Sequence, residues 1–119
     1  MHELSVATDL VEMAFGAAEG RPIEKLLVSN GAFSGVYADS LLFYLEILME
    51  ERKGKPAQIE IQIKPAKCLC ACGERYETER FLDPCPKCGA WNRKIESGLD
   101  CRLESIEVAT DDPPEKPKT

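Results

Sequence analysis

Apolar residues recur at helical spacing over the first twenty positions. Leu4, Ala7, Leu10, Val11, Ala14 and Ala18 share one stripe, and Thr8, Asp9 and Glu12 lie off it. The pattern predicts a helix over residues 4–19 that stops at Gly20, with Pro22 preventing continuation. Residues 24–33 hold a short apolar core ending in the turn signal Asn30-Gly31 and read as a strand. From Asp39 the helical period returns, with Leu41, Leu42, Leu45, Leu48 and Met49 on one face and Glu46 and Glu50 outside it. Asp39 or Ser40 is expected to cap this helix, Arg52 and Lys53 suit its C-terminal dipole, and Gly54 ends it. Between Gln58 and Lys64 the period drops to two, so Ile59, Ile61 and Ile63 face one way and Glu60 and Gln62 the other; Pro65 closes the strand. A last strand is expected over Leu99 to Val108, with Leu103, Ile106 and Val108 buried and a bulge in their register. Residues 110–119 hold three prolines among charges and are expected to be a disordered tail.

The order helix, strand, helix, strand, cysteine-rich segment, strand predicts an α+β fold. Two helices cover a small three-stranded sheet, and a metal-binding module is inserted before the last strand. The two strands flanking that insertion are expected to pair as a hairpin. Residues 1–65 together with 99–109 then form one domain, and residues 66–98 the module.

Composition narrows the function. The chain has 119 residues and a formal charge of -6, which argues against nucleic acid, whose binding rests on neutralising phosphates. No apolar run has the length of a membrane span and no secretory signal pattern opens the chain, so a soluble, cytoplasmic protein is expected.

Five of the six cysteines lie between Cys68 and Cys88. Cys85-Pro86-Lys87-Cys88-Gly89 is a C-x-x-C knuckle, and Cys68-Leu69-Cys70-Ala71-Cys72 is a denser cluster. Two thiols from each side complete a tetrahedral four-thiolate site, the coordination of structural zinc. A module of about thirty residues buries too little apolar surface to fold unaided, so bound metal would be its folding partner. Spacing alone leaves iron in the same sulfur geometry open, which would make an electron carrier. Cys101 lies outside the clusters and reads as a small buried apolar residue.

The one histidine is His2. A free α-amine, the amide nitrogen of residue 2 and the His2 imidazole form fused chelate rings around one cation, and the Glu3 amide nitrogen completes a plane. Such a square of nitrogens suits Ni(II) or Cu(II) rather than Zn(II). Residue type alone favours an exposed histidine without a role.

Four segments together carry a resemblance. They are Met1-His2-Glu3-Leu4-Ser5, the Asn30-Gly31-Ala32-Phe33-Ser34 turn, the module ending in Cys85-Pro86-Lys87-Cys88-Gly89, and Ser105-Ile106-Glu107-Val108. The chain resembles the HypA/HybF family of hydrogenase maturation factors over residues 1 to about 109. The resemblance implies a nickel metallochaperone, not an enzyme, with Ni(II) held transiently at Met1, His2 and Glu3 and structural Zn(II) in the module. It also implies a maturation GTPase and the [NiFe] hydrogenase large subunit as partners, with urease served by some relatives. Whether the chain forms a homodimer is left open.

The first cysteine cluster departs from the family's usual C-x-x-C. Alignment gives Cys70, Cys72, Cys85 and Cys88 as the zinc ligands, while a wider, more easily closed loop would use Cys68 in place of Cys70. Tyr37 stands where relatives often carry an acidic residue, and Asp39 follows two residues later; Asp39 is read as a helix cap rather than a nickel ligand. The rival reading is a zinc-ribbon adaptor for protein–protein interaction, in which the N-terminus is incidental.

Overall fold

The first apolar stripe winds into helix α1, Glu3–Ala18, in a computed structural model that describes residues 3–53 and 57–109. Ala7, Leu10, Val11, Ala14 and Ala18 are buried along one side of α1. Leu4 shares their spacing but lies at the start of the helix, beyond the covered stretch, and is 49% exposed. The helix closes with Arg21 N–H donating to the Ala18 carbonyl at 3.1 Å.

Strand β1, Ile23–Gly31, leads into helix α2, Ala38–Lys53, and then into strand β2, Gln58–Lys64. A strand, a helical crossover and a second strand in one sheet run parallel, and β2 pairs parallel with β1 from Lys25↔Gln58 to Gly31↔Lys64. The last strand, β6, Cys101–Val108, takes the other edge of β1 and runs antiparallel to it. The sheet order is β2-β1-β6. The strands flanking the module therefore do not pair as a hairpin: the crossover commits β2 to one edge of β1, and β6 fills the edge that remains.

Being central, β1 is buried at Ile23, Leu26 and Val28 and over Ser29–Gly31. Ile23, Leu26 and Val28 join the α1 stripe and Leu41, Leu45 and Met49 of α2 in one core cluster, with Ile59, Ile61, Cys101, Leu103, Ile106 and Val108 packed against it. Full burial of a leucine such as Leu41 or Leu45 contributes roughly 1.5–3 kcal/mol. Ile63, at the end of edge strand β2, is exposed, so the alternation read from the sequence outruns the core by one residue. The expected bulge is present: the register steps from Leu27↔Ser105 to Val28↔Leu103. It passes over Glu104, whose carboxylate accepts a 2.6 Å hydrogen bond from Ser29 Oγ. Gly54, expected to end α2, and the tail 110–119 lie outside the described residues.

The module builds a second three-stranded sheet that the sequence pattern did not reveal. Strand β3, Ala66–Cys70, lies between β4, Arg75–Thr78, and β5, Arg93–Ser97, both antiparallel to it. Both chain crossings into this module are held to the turn after β1. Gly31 N–H donates to Asp100 O (2.8 Å), Ala32 N–H to Lys64 O (2.8 Å) and Phe33 N–H to Gly98 O (2.9 Å). The crossings approach so closely that a Cβ on Gly31 would meet the Gly98 carbonyl oxygen at 2.3 Å, and one on Gly98 would meet Ala66 Cα at 2.5 Å. Gly98 also adopts φ +102°, a region unfavourable to side chains.

Candidate metal centre

Cys70 is the last residue of β3, and Cys72 stands in the turn that leads to β4. The turn is closed by Gly73 N–H donating to Cys70 O (2.9 Å) and Cys70 N–H to Glu74 O (2.9 Å). The second knuckle repeats the arrangement, with Gly89 N–H donating to Cys85 O (2.8 Å) and Cys85 N–H to Ala90 O (2.9 Å). The two turns face each other. Cys70 Sγ lies 3.4 Å from Cys88 Sγ, Cys72 Sγ lies 3.8 Å from Cys85 Sγ, and all four sulfurs are within 4.8 Å of one another. A tetrahedron with Zn–S near 2.3 Å has sulfur–sulfur edges of about 3.8 Å. The donor set thus fits a closed four-thiolate ion, and these are the four cysteines that alignment selects.

Cys68 sits two residues earlier on β3, fully buried between its cross-strand neighbours Tyr76 and Ile95. Its sulfur is not in the cluster. Cys70 reaches the cluster from the end of the strand and only Cys72 from the turn, so the wider loop through Cys68 is not needed to bring four sulfurs together.

The thiols differ in acidity. Burial pushes the Cys85 thiol up, but the N–H groups of Cys88 and Lys87 and the neighbouring Cys70 and Cys88 thiols outweigh it and bring it down to about 7. For Cys70 the backbone contact at Cys72 pulls downward, but burial and the Cys88 and Cys85 thiols prevail and raise it. Lys87 N–H donates to Cys85 Sγ at 3.4 Å, the kind of contact that favours a thiolate. Cys101, half-buried on β6, is raised by burial and packs against the core, the role expected of it.

Arg93, at the start of β5, is a residue that sequence reasoning missed. Its guanidinium donates to Tyr76 Oη (3.2 Å), Phe81 O (2.6 Å) and Asp83 O, reaching across the loop that carries Cys85. The same group lies over the rings of Phe33 and Phe81, 5.4 and 5.5 Å from their centroids, and those rings meet edge to face at 4.9 Å. Arg93 therefore braces the module internally and against the first domain. Nothing in the sequence around Trp91-Asn92-Arg93 marks it, because the contact is to backbone carbonyls and rings distant in the chain.

Met1 and His2, the expected nickel ligands, lie outside the described residues. Glu3 is the first residue of α1, and its carboxylate accepts a 3.0 Å hydrogen bond from Tyr37 N–H. Tyr37 is the N-cap of α2, since its carbonyl accepts the first helical bond, from Leu41 N–H, at 2.9 Å. In a capping box a glutamate three residues into the helix bonds the N-cap N–H; here Glu3 does so from the other helix. The cap position is thus neither Asp39 nor Ser40, as the sequence suggested. Asp39 instead lies in the first turn of α2, where a carboxylate suits the positive helix end. The turn before it is tied internally: Asn30 Nδ2 donates to Val36 O (2.9 Å) and Ser34 Oγ to Asn30 Oδ1 (2.6 Å).

A family model described as hydrogenase/urease nickel incorporation, metallochaperone, hypA, matches residues 1–108. Hydrogenase maturation factor HypA of Geobacter metallireducens is 31% identical over 109 residues, covering 91% of this chain and 99% of the relative. The factor of the same name from Caldanaerobacter subterraneus subsp. tengcongensis is 36% identical over 113 residues, covering 91% and 99%. Among solved structures, the nickel metallochaperone HypA of Helicobacter pylori is similar with a TM-score of 0.65 at 26% identity, covering 93% of this chain and all of that one.

Proposed function

The chain belongs to the HypA family of hydrogenase and urease nickel-incorporation metallochaperones, and we propose from that premise that it carries Ni(II) at its own N-terminus. It is a maturation factor, not an enzyme. The proposed donors are the Met1 amine, the amide nitrogens of His2 and Glu3, and the His2 imidazole. The observation that carries this reading is that, among the described residues, the only group of three or more clustered Cys, His, Asp or Glu ligands is the four-thiolate set. That set is closed, and cargo needs an open, exchangeable site.

The start of α1 suits the task. The N–H groups of a helix's first turn have no intrahelical partner, so the Glu3 amide can give up its proton to a metal without breaking a helical bond. Ni(II) prefers such planar nitrogen coordination.

Cys70, Cys72, Cys85 and Cys88 would hold zinc, which on binding supplies folding stability to a module too small to fold on its apolar core. Residues 1–65 with 99–109 would act as the nickel-carrying domain and residues 66–98 as the zinc module. Delivery would be to the [NiFe] hydrogenase large subunit, in the cytoplasm, together with a maturation GTPase of the same pathway.

Acetylating the terminal amine separates this reading from that of a zinc-ribbon adaptor. The acetylated protein should lose its bound Ni(II) in equilibrium dialysis and keep its zinc. Undiminished nickel would remove the terminus from the account.

A further inference from the structure

One face of α2 exposes apolar and charged groups together; the single ring contact there is Phe43 edge to face with its neighbour Tyr44 at 5.4 Å. Phe43 and Ile47, one helical turn apart, are 58% and 38% exposed. With Ala57 and with Glu46 and Glu50, also one turn apart, they line a cavity of about 370 Å³. Among the described residues Glu46 and Glu50 have no basic partner within 4.0 Å, as is true of several other exposed glutamates; what sets them apart is that they stand one turn from each other beside Phe43 and Ile47. Like charges at this spacing destabilise a helix, so the pair costs the free protein something that a cation opposite them would repay. The surrounding domain deepens the field: residues 1–65 and 99–109 hold thirteen acidic and seven basic side chains, whereas the module holds five and six.

We propose that this face docks a segment of a separate protein that presents one large apolar side chain between lysines or arginines. The apolar residue would enter the cavity between Phe43 and Ile47, and its basic neighbours would meet Glu46 and Glu50. Complementary charge of this kind chiefly steers encounter and excludes wrong partners. A second copy of the chain fits poorly, because a two-fold interface through this face would set the glutamates of one copy against those of the other. Ile47 lies ten residues beyond Tyr37, about 15 Å along the helix axis, so a docked segment need not reach the Glu3 carboxylate, which bonds the Tyr37 N–H. The face does not depend on any metal.

The test replaces Phe43 with the photo-crosslinking residue p-benzoylphenylalanine in the full chain, in cells that need the protein for hydrogenase maturation, and identifies the linked peptide by mass spectrometry. The expected adduct is with another protein, at a segment in which Lys or Arg flanks an apolar residue. Glu46→Lys with Glu50→Lys should cut its yield at least tenfold, and Glu46→Gln with Glu50→Gln by less, both with unchanged zinc content and helical circular dichroism. The glutamine pair keeps the test open should the charge reversal misfold. No adduct, an adduct with a second copy, an adduct at an acidic segment, or a yield indifferent to both pairs of substitutions would each overturn the proposal.

Discussion

Two cysteines on the same strand face, two residues apart, have opposite surroundings. Cys68 is enclosed by the module's small sheet, while Cys70 turns its sulfur toward Cys88 at 3.4 Å. Cys68→Ala should therefore keep a full equivalent of zinc and lose only about 1 kcal/mol of packing. Cys70→Ala should lose zinc and, with it, the ordered module, as read by metal analysis and amide spectra; the reverse pattern would exchange their roles. Glu3 is the second informative residue, since its side chain is engaged at the Tyr37 N–H. Glu3→Ala should cost about 1 kcal/mol in denaturant unfolding and speed hydrogen exchange at the Tyr37 amide, while nickel stoichiometry holds because only the Glu3 backbone is proposed as a donor. At this scale the knuckle cysteines were legible, because thiolate coordination imposes spacing on the chain. The contacts of Glu3 and Arg93 were not, since their partners are backbone groups and rings brought near only by the fold.

Helices and strands were largely legible, because burial imposes period 3.6 or 2 on the residues that face the core. The observed α1, α2 and β2 lie within a residue or so of the stretches the apolar pattern marks. The pairing of strands was less so: nothing in the alternation of β2 and β6 says that β1 separates them, and it is the length of the α2 crossover that makes β2 parallel. The three module strands were hidden for another reason. They are four or five residues long and built around cysteines and charges, so they carry no apolar period. The connections between elements give a sharp test at Gly98. Gly98→Ala must place a methyl group against Ala66 and hold φ near +102°, a strain of about 1–3 kcal/mol from the backbone alone. Thermal unfolding should show at least that loss, whereas Gly16→Ala, at a helical position with open space around it, should be neutral or slightly stabilising.

Across the described residues, the β2-β1-β6 sheet with its helices and the β4-β3-β5 sheet that carries the cysteines meet at one turn. Three backbone hydrogen bonds from residues 31–33 and the Phe33, Phe81 and Arg93 cluster fix the module's direction. Arg93→Ala should leave zinc bound but loosen that direction, seen as a broader distribution of module orientations in residual dipolar couplings. The proposed division of labour rests on coordination chemistry: a closed cage of four thiolates would retain its ion, whereas cargo needs a site that can exchange one. The most direct measurement is metal analysis of the wild-type protein and His2→Ala after one equivalent of Ni(II) is added. The wild type should hold about one nickel and one zinc, and His2→Ala the zinc alone; nickel retained in full by His2→Ala would contradict the account.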